Sequence, residues 1–163
     1  MIVSVETNGS AVKNQSIAPL ESHLGYWLRF VSNHVSHAFS QKLEGRGVTV
    51  AEWVILRELF DLDAAPPSDL AGRIGMTRGA ITKRIDSLVA KSLVTRTPGK
   101  DDRRYQAIAL TAAGRAIVPK LAALADRNDA EFFGHLKPAE RTAIENAMKN
   151  IVSRHALQTI PVE

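Results

Sequence analysis

The chain contains no cysteine. That removes a disulfide framework, a thiolate zinc site and any sensor that works by thiol oxidation. No run of eighteen apolar residues occurs, so no membrane-spanning helix is expected. The opening residues carry neither a basic leader nor a long apolar core, and no secretory signal is expected; a cytoplasmic protein is. The nucleophile elbow, the Gly-rich phosphate loop and the two-His zinc helix are missing too, so no enzyme and no cofactor are expected. There is no internal repeat.

What remains is ordinary in bulk and uneven in detail. Hydrophobic residues at 45% and charged residues at 23% describe a globular chain, and 163 residues favour a single domain with its own core. The net charge of +4 is concentrated. Residues 66–110 hold nine Lys or Arg against four Asp, a local +5, and the rest of the chain sums to −1. Phosphate binding by counterion release needs such a cluster. A solvated basic face would also show it.

Residues 1–19 are polar and without periodicity, and read as an arm. From Leu20 to Leu43, apolar residues fall at helical spacing (Leu24, Trp27, Leu28, Val31, Val35, Phe39, Leu43), with His23, Phe30, His34 and His37 beside them. Coverage that wide suits a helix buried between protomers. Thr49 and Glu52 form a capping box, with Val48 and Trp53 as its hydrophobic staple, for a core helix ending near Leu62. Pro66 and Pro67 break that helix. Ser68 is then expected to cap a short helix over 69–74, Gly75 to make a tight turn, and Thr77 to cap the next helix. Two short helices joined through a glycine match a helix-turn-helix.

On the second of these helices Ile81, Ile85 and Leu88 share one face. Gly79, Thr82, Lys83 and Asp86 lie opposite, with Arg78 and Arg84 on the flanks. Gly79 and Ala80 would admit a close backbone approach, and Thr82 and Lys83 would reach base edges or phosphates in a groove about 12 Å wide. A solvated surface helix would carry the same residues. Strands over 93–97 and 105–110 flank a charged turn, predicting a β-hairpin with a basic tip. Thr111 caps a long helix to about Leu136, with Pro119 inside it and a kink expected near 115–119. Pro138 opens a last helix whose apolar face holds Ile144, Met148, Ile151 and Val152. The fold class predicted is mainly α with a small β-hairpin wing: a winged helix-turn-helix plus a helical dimerisation layer.

Asp102, Arg104, Leu110 and Thr111 resemble the D-x-R…L-T wing motif of the MarR (multiple antibiotic resistance regulator) family, and Leu93 to Arg96 with the preceding helix pair are similar as well. Ser92 departs from the pattern where glycine is usual, and Arg84 where an apolar residue is common. The resemblance spans about residues 20–157 and implies a homodimeric winged-helix regulator of transcription, more often a repressor, that reads a pseudo-palindrome in double-stranded DNA. Dimerisation helices are expected over about 20–44 and 111–157, the DNA-binding winged helix over about 48–110, and a tail over 158–163.

Candidate DNA contacts are Ser68, Thr77, Arg78, Gly79, Ala80, Thr82, Lys83 and Arg84, with Lys100, Asp102, Arg103 and Arg104 on the wing. Asp102 would orient the wing arginine, Arg104. The resemblance further implies a small ligand, often an aromatic acid or phenol, in a crevice between the two layers. Trp27, Phe30, His34, His37, Trp53 and Arg57 are the candidates to line it. His34 and His37 have no acidic neighbour on the same turn, and no metal site is expected. The competing reading is a winged helix serving as a protein-interaction or dimerisation module without DNA contact; the clustered charge weighs against it. Under the DNA reading, Arg104→Ala is expected to weaken binding to every duplex and flatten its salt dependence, measured by titrating one duplex at several salt concentrations.

Overall fold

The structure, a computed structural model, describes residues 17–98 and 106–158. A single 3-10 turn (Leu20–Ser22) precedes α1 (Leu24–Glu44). The six helices continue with α2 (Val50–Phe60), α3 (Pro67–Ile74) and α4 (Arg78–Ala90). Strands β1 (Val94–Pro98) and β2 (Gln106–Leu110) follow, then α5 (Ala112–Phe133) and α6 (Pro138–Arg154). The first helix starts later than its periodicity predicts because His23 takes an extended conformation between the turn and α1. Among the described residues no helix is long and apolar enough to cross a membrane.

The core is built on α2. Ile55, Leu56 and Leu59 are fully buried and meet Leu43 of α1, Leu70 of α3, the inner face of α4 (Ile81, Ile85, Leu88) and Leu121 of α5. Each such side chain taken from water is worth about 1.5–3 kcal/mol. β1 and β2 pair antiparallel with Val94 opposite Leu110 and Arg96 opposite Ile108. A third segment joins them: Ala65 exchanges backbone hydrogen bonds with Ile108 at 3.0 and 2.8 Å. The sequence reading of 63–67 as a plain break missed this, since a lone bridging residue has no period.

Ser68 does not cap α3. Pro66 precedes the helix in an extended conformation and Pro67 occupies its first position, where a fixed φ and a missing N–H are tolerated. Ser68 is therefore inside the first turn, its hydroxyl 3.2 Å from Asp69 Oδ1. Gly75 adopts φ 68° and turns the chain into α4. Thr77 caps α4 by accepting from the Ala80 N–H at 3.3 Å. Pro119 lies within α5 on its exposed side and withholds an N–H from the Arg115 carbonyl.

At the end of α4, Ser92 takes the left-handed conformation at φ 56°. Its N–H donates to the Val89 carbonyl at 2.9 Å and the Leu93 N–H donates to the Leu88 carbonyl at 3.0 Å, the pair of reverse bonds with which a helix stops. Serine thus makes the turn that glycine makes cheaply, at a cost of about 1 kcal/mol.

Glu52 is the buried carboxylate of the fold, 1% exposed. It closes the capping box at the start of α2, accepting from the Thr49 N–H at 2.8 Å while Thr49 Oγ1 accepts from the Glu52 N–H at 3.2 Å. It also accepts from Ser87 Oγ of α4 at 2.6 Å and from Nζ of Lys91, the C-cap of α4, at 2.8 and 2.7 Å. Burial pushes this carboxyl up. The hydrogen bonds from Lys91, Ser87 and the Thr49 N–H, with the Lys91 charge, outweigh burial and hold it below the usual carboxylate range.

Two measurements follow from these turns and bonds. Ser92→Gly is expected to raise stability by about 0.5–1 kcal/mol, seen as a higher midpoint in thermal or urea unfolding. Because Glu52 is depressed in the folded state, its contribution is complete above the unfolded carboxyl value of about 4.3 and is lost as pH falls through the lower folded value. The stability gap between the parent and Glu52→Gln should stay constant from pH 7 to 5 and close in stronger acid.

Candidate nucleic-acid interface

Helix α4 presents two unlike faces. Ile81, Ile85 and Leu88 are buried, while Thr77, Arg78, Gly79, Thr82, Lys83 and Asp86 are exposed. Nothing lies within 4 Å of where a Gly79 side chain would begin, so no internal packing requires glycine there. Thr82 Oγ1 donates to the Arg78 carbonyl at 2.9 Å, which keeps its lone pairs available to an outside donor. The first turn of α4 carries no acid, and the positive end of the helix dipole points the same way as Arg78.

The ion pairs of the reader sort its cations. Arg73 pairs with Glu58 at 3.0 Å and Lys91 with Glu52 at 2.7 Å. Arg96 of β1 binds Asp86 on the exposed face of α4 and also donates to Gln106 Oε1 at 3.3 Å, tying strand to helix. Arg78, Lys83 and Arg84 have no ion-pair partner among the described residues. All three lie in the first two turns of α4. Ala80 is half-buried, and Ser68 is exposed in the first turn of α3. Lys100, Asp102, Arg103 and Arg104 lie outside the described residues.

Arg84 turns inward from the flank. It is half-buried and lines a crevice of about 440 Å³ with Asn33, Ser36, His37 and Ser40 of α1 and Thr49 at the head of α2. Of the six side chains read as crevice candidates only His37 is there. Trp27, Phe30 and His34 form an exposed ladder along α1, with Phe30 and His34 stacked at 4.4 Å. Trp53 packs edge-on to Phe39 against the core, and Arg57 pairs with Asp61 at 2.7 Å. The residues that were missed (Asn33, Ser36, Ser40) repeat at i, i+3 and i+7, a polar stripe legible as a helix face but not as a pocket wall. Among the described residues no group of three His, Asp or Glu is placed to hold a metal.

A second surface has no cover among the described residues. Leu24, Trp27, Leu28, Phe30 and Val31 of α1 are exposed, as are Ile144, Met148, Ile151 and Val152 of α6, a helix with no buried residue. By contrast α5 is anchored: the buried Asn128 donates to the Val35 carbonyl at 3.1 Å and accepts from Lys42 Nζ at 3.1 Å.

A family model described as MarR family matches residues 48–105, the segment from the head of α2 to the residue before β2. The HTH-type transcriptional regulator PrsX of Escherichia coli is 27% identical over 145 residues, 86% of this chain and 87% of its own. The structure of Bordetella bronchiseptica BpsR, whose DNA binding is regulated by 6-hydroxynicotinic acid, superposes with a TM-score of 0.77 at 27% identity, over 83% of this chain and 96% of that one. A mutant of Escherichia coli MarR complexed with operator DNA superposes with a TM-score of 0.74 at 25% identity, over 79% and 93%. The winged helix-turn-helix, the hairpin in its order after α4 and these likenesses agree: residues 48–105 match the MarR family model, and over most of its length the chain is similar to MarR-family transcriptional regulators.

Proposed function

We propose that the chain works as a homodimeric, cytoplasmic, DNA-binding transcriptional repressor, with α4 entering the major groove and the 98–104 hairpin tip reaching the flanking backbone. The observation that carries this reading is the segregation of charge on α4. Arg78, Lys83 and Arg84 stand without ion-pair partners among the described residues on a helix whose opposite face is sealed in the core. Such cations release counterions from DNA, whereas a helix docking on protein would present apolar or neutralised residues. The uncovered apolar faces of α1 and α6 support a dimer, because residues such as Trp27, Phe30, Met148 and Val152 gain by leaving water. In the dimer the dimerisation helices, about 20–44 and 111–157, hold two winged helices, about 48–110, with α4 and its mate about 34–36 Å apart.

Affinity is tuned by a small aromatic acid in the crevice beside Arg84. Its guanidinium would meet a carboxylate, and the ligand would shift DNA binding only through different affinities for the two spacings of the reading helices. The regulation of BpsR by 6-hydroxynicotinic acid lends this support by likeness.

Selection of bound sequences from random duplexes by the purified protein tests the DNA reading. A two-fold symmetric consensus with half-sites one helical turn apart is expected. Recovery of unselected sequence at every salt concentration would leave the protein-interaction module as the better account.

A further inference from the structure

Apolar contact holds α4 against the core without fixing its pose, since such attraction is non-directional. Ile81, Ile85 and Leu88 set which face is buried but resist a small rotation or tilt only through packing. The directional restraint comes from α2. Glu52 reaches α4 with both carboxylate oxygens and grips Ser87 and Lys91, one turn apart on the same side of the helix. Its own position is fixed by the Thr49 N–H. Four hydrogen bonds thus converge on one buried group.

We propose that Glu52 is a positioning residue for DNA reading: from inside the protein it sets the angle at which Arg78 to Lys83 meet the groove, through Ser87 and Lys91. The inference rests on the DNA-reading function proposed above. Its leverage is geometric. Arg78 lies about 13 Å along the axis from Ser87 at about 1.5 Å per residue, so a tilt of about 10° there displaces it by about 2 Å. That is more than a hydrogen bond to a base edge tolerates. The grip also neutralises the exposed Lys91 ammonium, so this lysine contributes to pose rather than to free charge. Stability alone gives little reason for the arrangement, because buried ion pairs are commonly replaceable by apolar residues of similar size without loss.

Three variants separate pose from stability. Glu52→Gln keeps the capping-box acceptor but loses the charge that holds Lys91. The pair Glu52→Met with Lys91→Met replaces the grip by apolar packing, and Ser87→Ala removes one hydrogen bond and no charge. Anisotropy titrations use a duplex carrying the selected consensus and a scrambled duplex of the same length, at several salt concentrations, beside thermal unfolding.

The expected result is a fall of about tenfold in the consensus-to-scrambled ratio for Glu52→Gln and the Met pair, and about threefold for Ser87→Ala. Scrambled-duplex affinity and its salt slope should stay at the parent's values, although the Met pair has lost a cation. A parent that discriminates, with folded variants that discriminate equally well, overturns the clamp alone. A salt slope that falls by about one in the Met pair overturns it as well, making Lys91 a phosphate contact. A parent that binds both duplexes alike overturns the DNA reading, and the clamp with it.

Discussion

The carbonyl of Leu93 is a junction on which the reader depends. It accepts from the Thr111 N–H at 3.1 Å and from Thr111 Oγ1 at 3.2 Å, just after the left-handed turn that ends α4. Thr111 also caps α5, accepting from the Gly114 N–H at 3.0 Å. A side chain at Gly114 would begin 2.0 Å from that same carbonyl oxygen, so only glycine lets α5 come this close. Three elements (α4, the hairpin, the long helix α5) are therefore pinned to one peptide group. The Leu-Thr pair that ends the wing motif acquires a physical meaning here: leucine closes the strand and threonine fastens both layers to the turn.

Around that junction, electrostatics does selective work. A segment with nine cations could bind its own acids at random, but the pairs formed are specific. Glu58 takes Arg73 and Glu52 takes Lys91, while Asp86 takes Arg96 from the neighbouring strand. The two exposed pairs, Arg73–Glu58 and Arg96–Asp86, add little to stability. What they accomplish is to leave the positive potential at the first two turns of α4, where the helix dipole adds to it. Asp86, an acid on the exposed side of α4, becomes a brace for the hairpin instead of an isolated negative charge.

Local signals in the sequence were strong wherever a feature is contained within a few residues. The capping box at Thr49, the caps at Thr77 and Thr111, the glycine turn at Gly75 and the two faces of α4 all depend on neighbours at most four apart. Ser68 failed as a cap for an equally local reason, since Pro67 starts the helix one residue earlier. What stayed hidden was long-range. Glu52 reads as half of a capping box, and nothing within its own helix says that it also grips residues 35 and 39 positions away. The crevice beside Arg84 is walled by Asn33, Ser36 and Ser40 together with His37, the one predicted candidate among them. Pocket walls are set by how helices cross, and helix crossing leaves no period in a sequence.

Helix α1 changes character along its length, and this bears on how a regulator could be tuned. Its second half is held in this chain's core through Phe39 and Leu43, while Leu24, Trp27, Leu28, Phe30 and Val31 in its first half find no cover among the described residues. A rigid helix with one end in the core and the other at an uncovered apolar face would transmit displacement between them, since packed interiors shift as units. The crevice beside Arg84 opens where these two halves meet, against the head of α2. The wall of that crevice includes Thr49, whose backbone N–H is bound by Glu52, and Glu52 in turn holds α4. A ligand seated there would press on the same group that sets the pose of the reading helix. Coupling between a bound anion and DNA would then need no long pathway, only two successive hydrogen-bonded steps from Thr49 to Ser87.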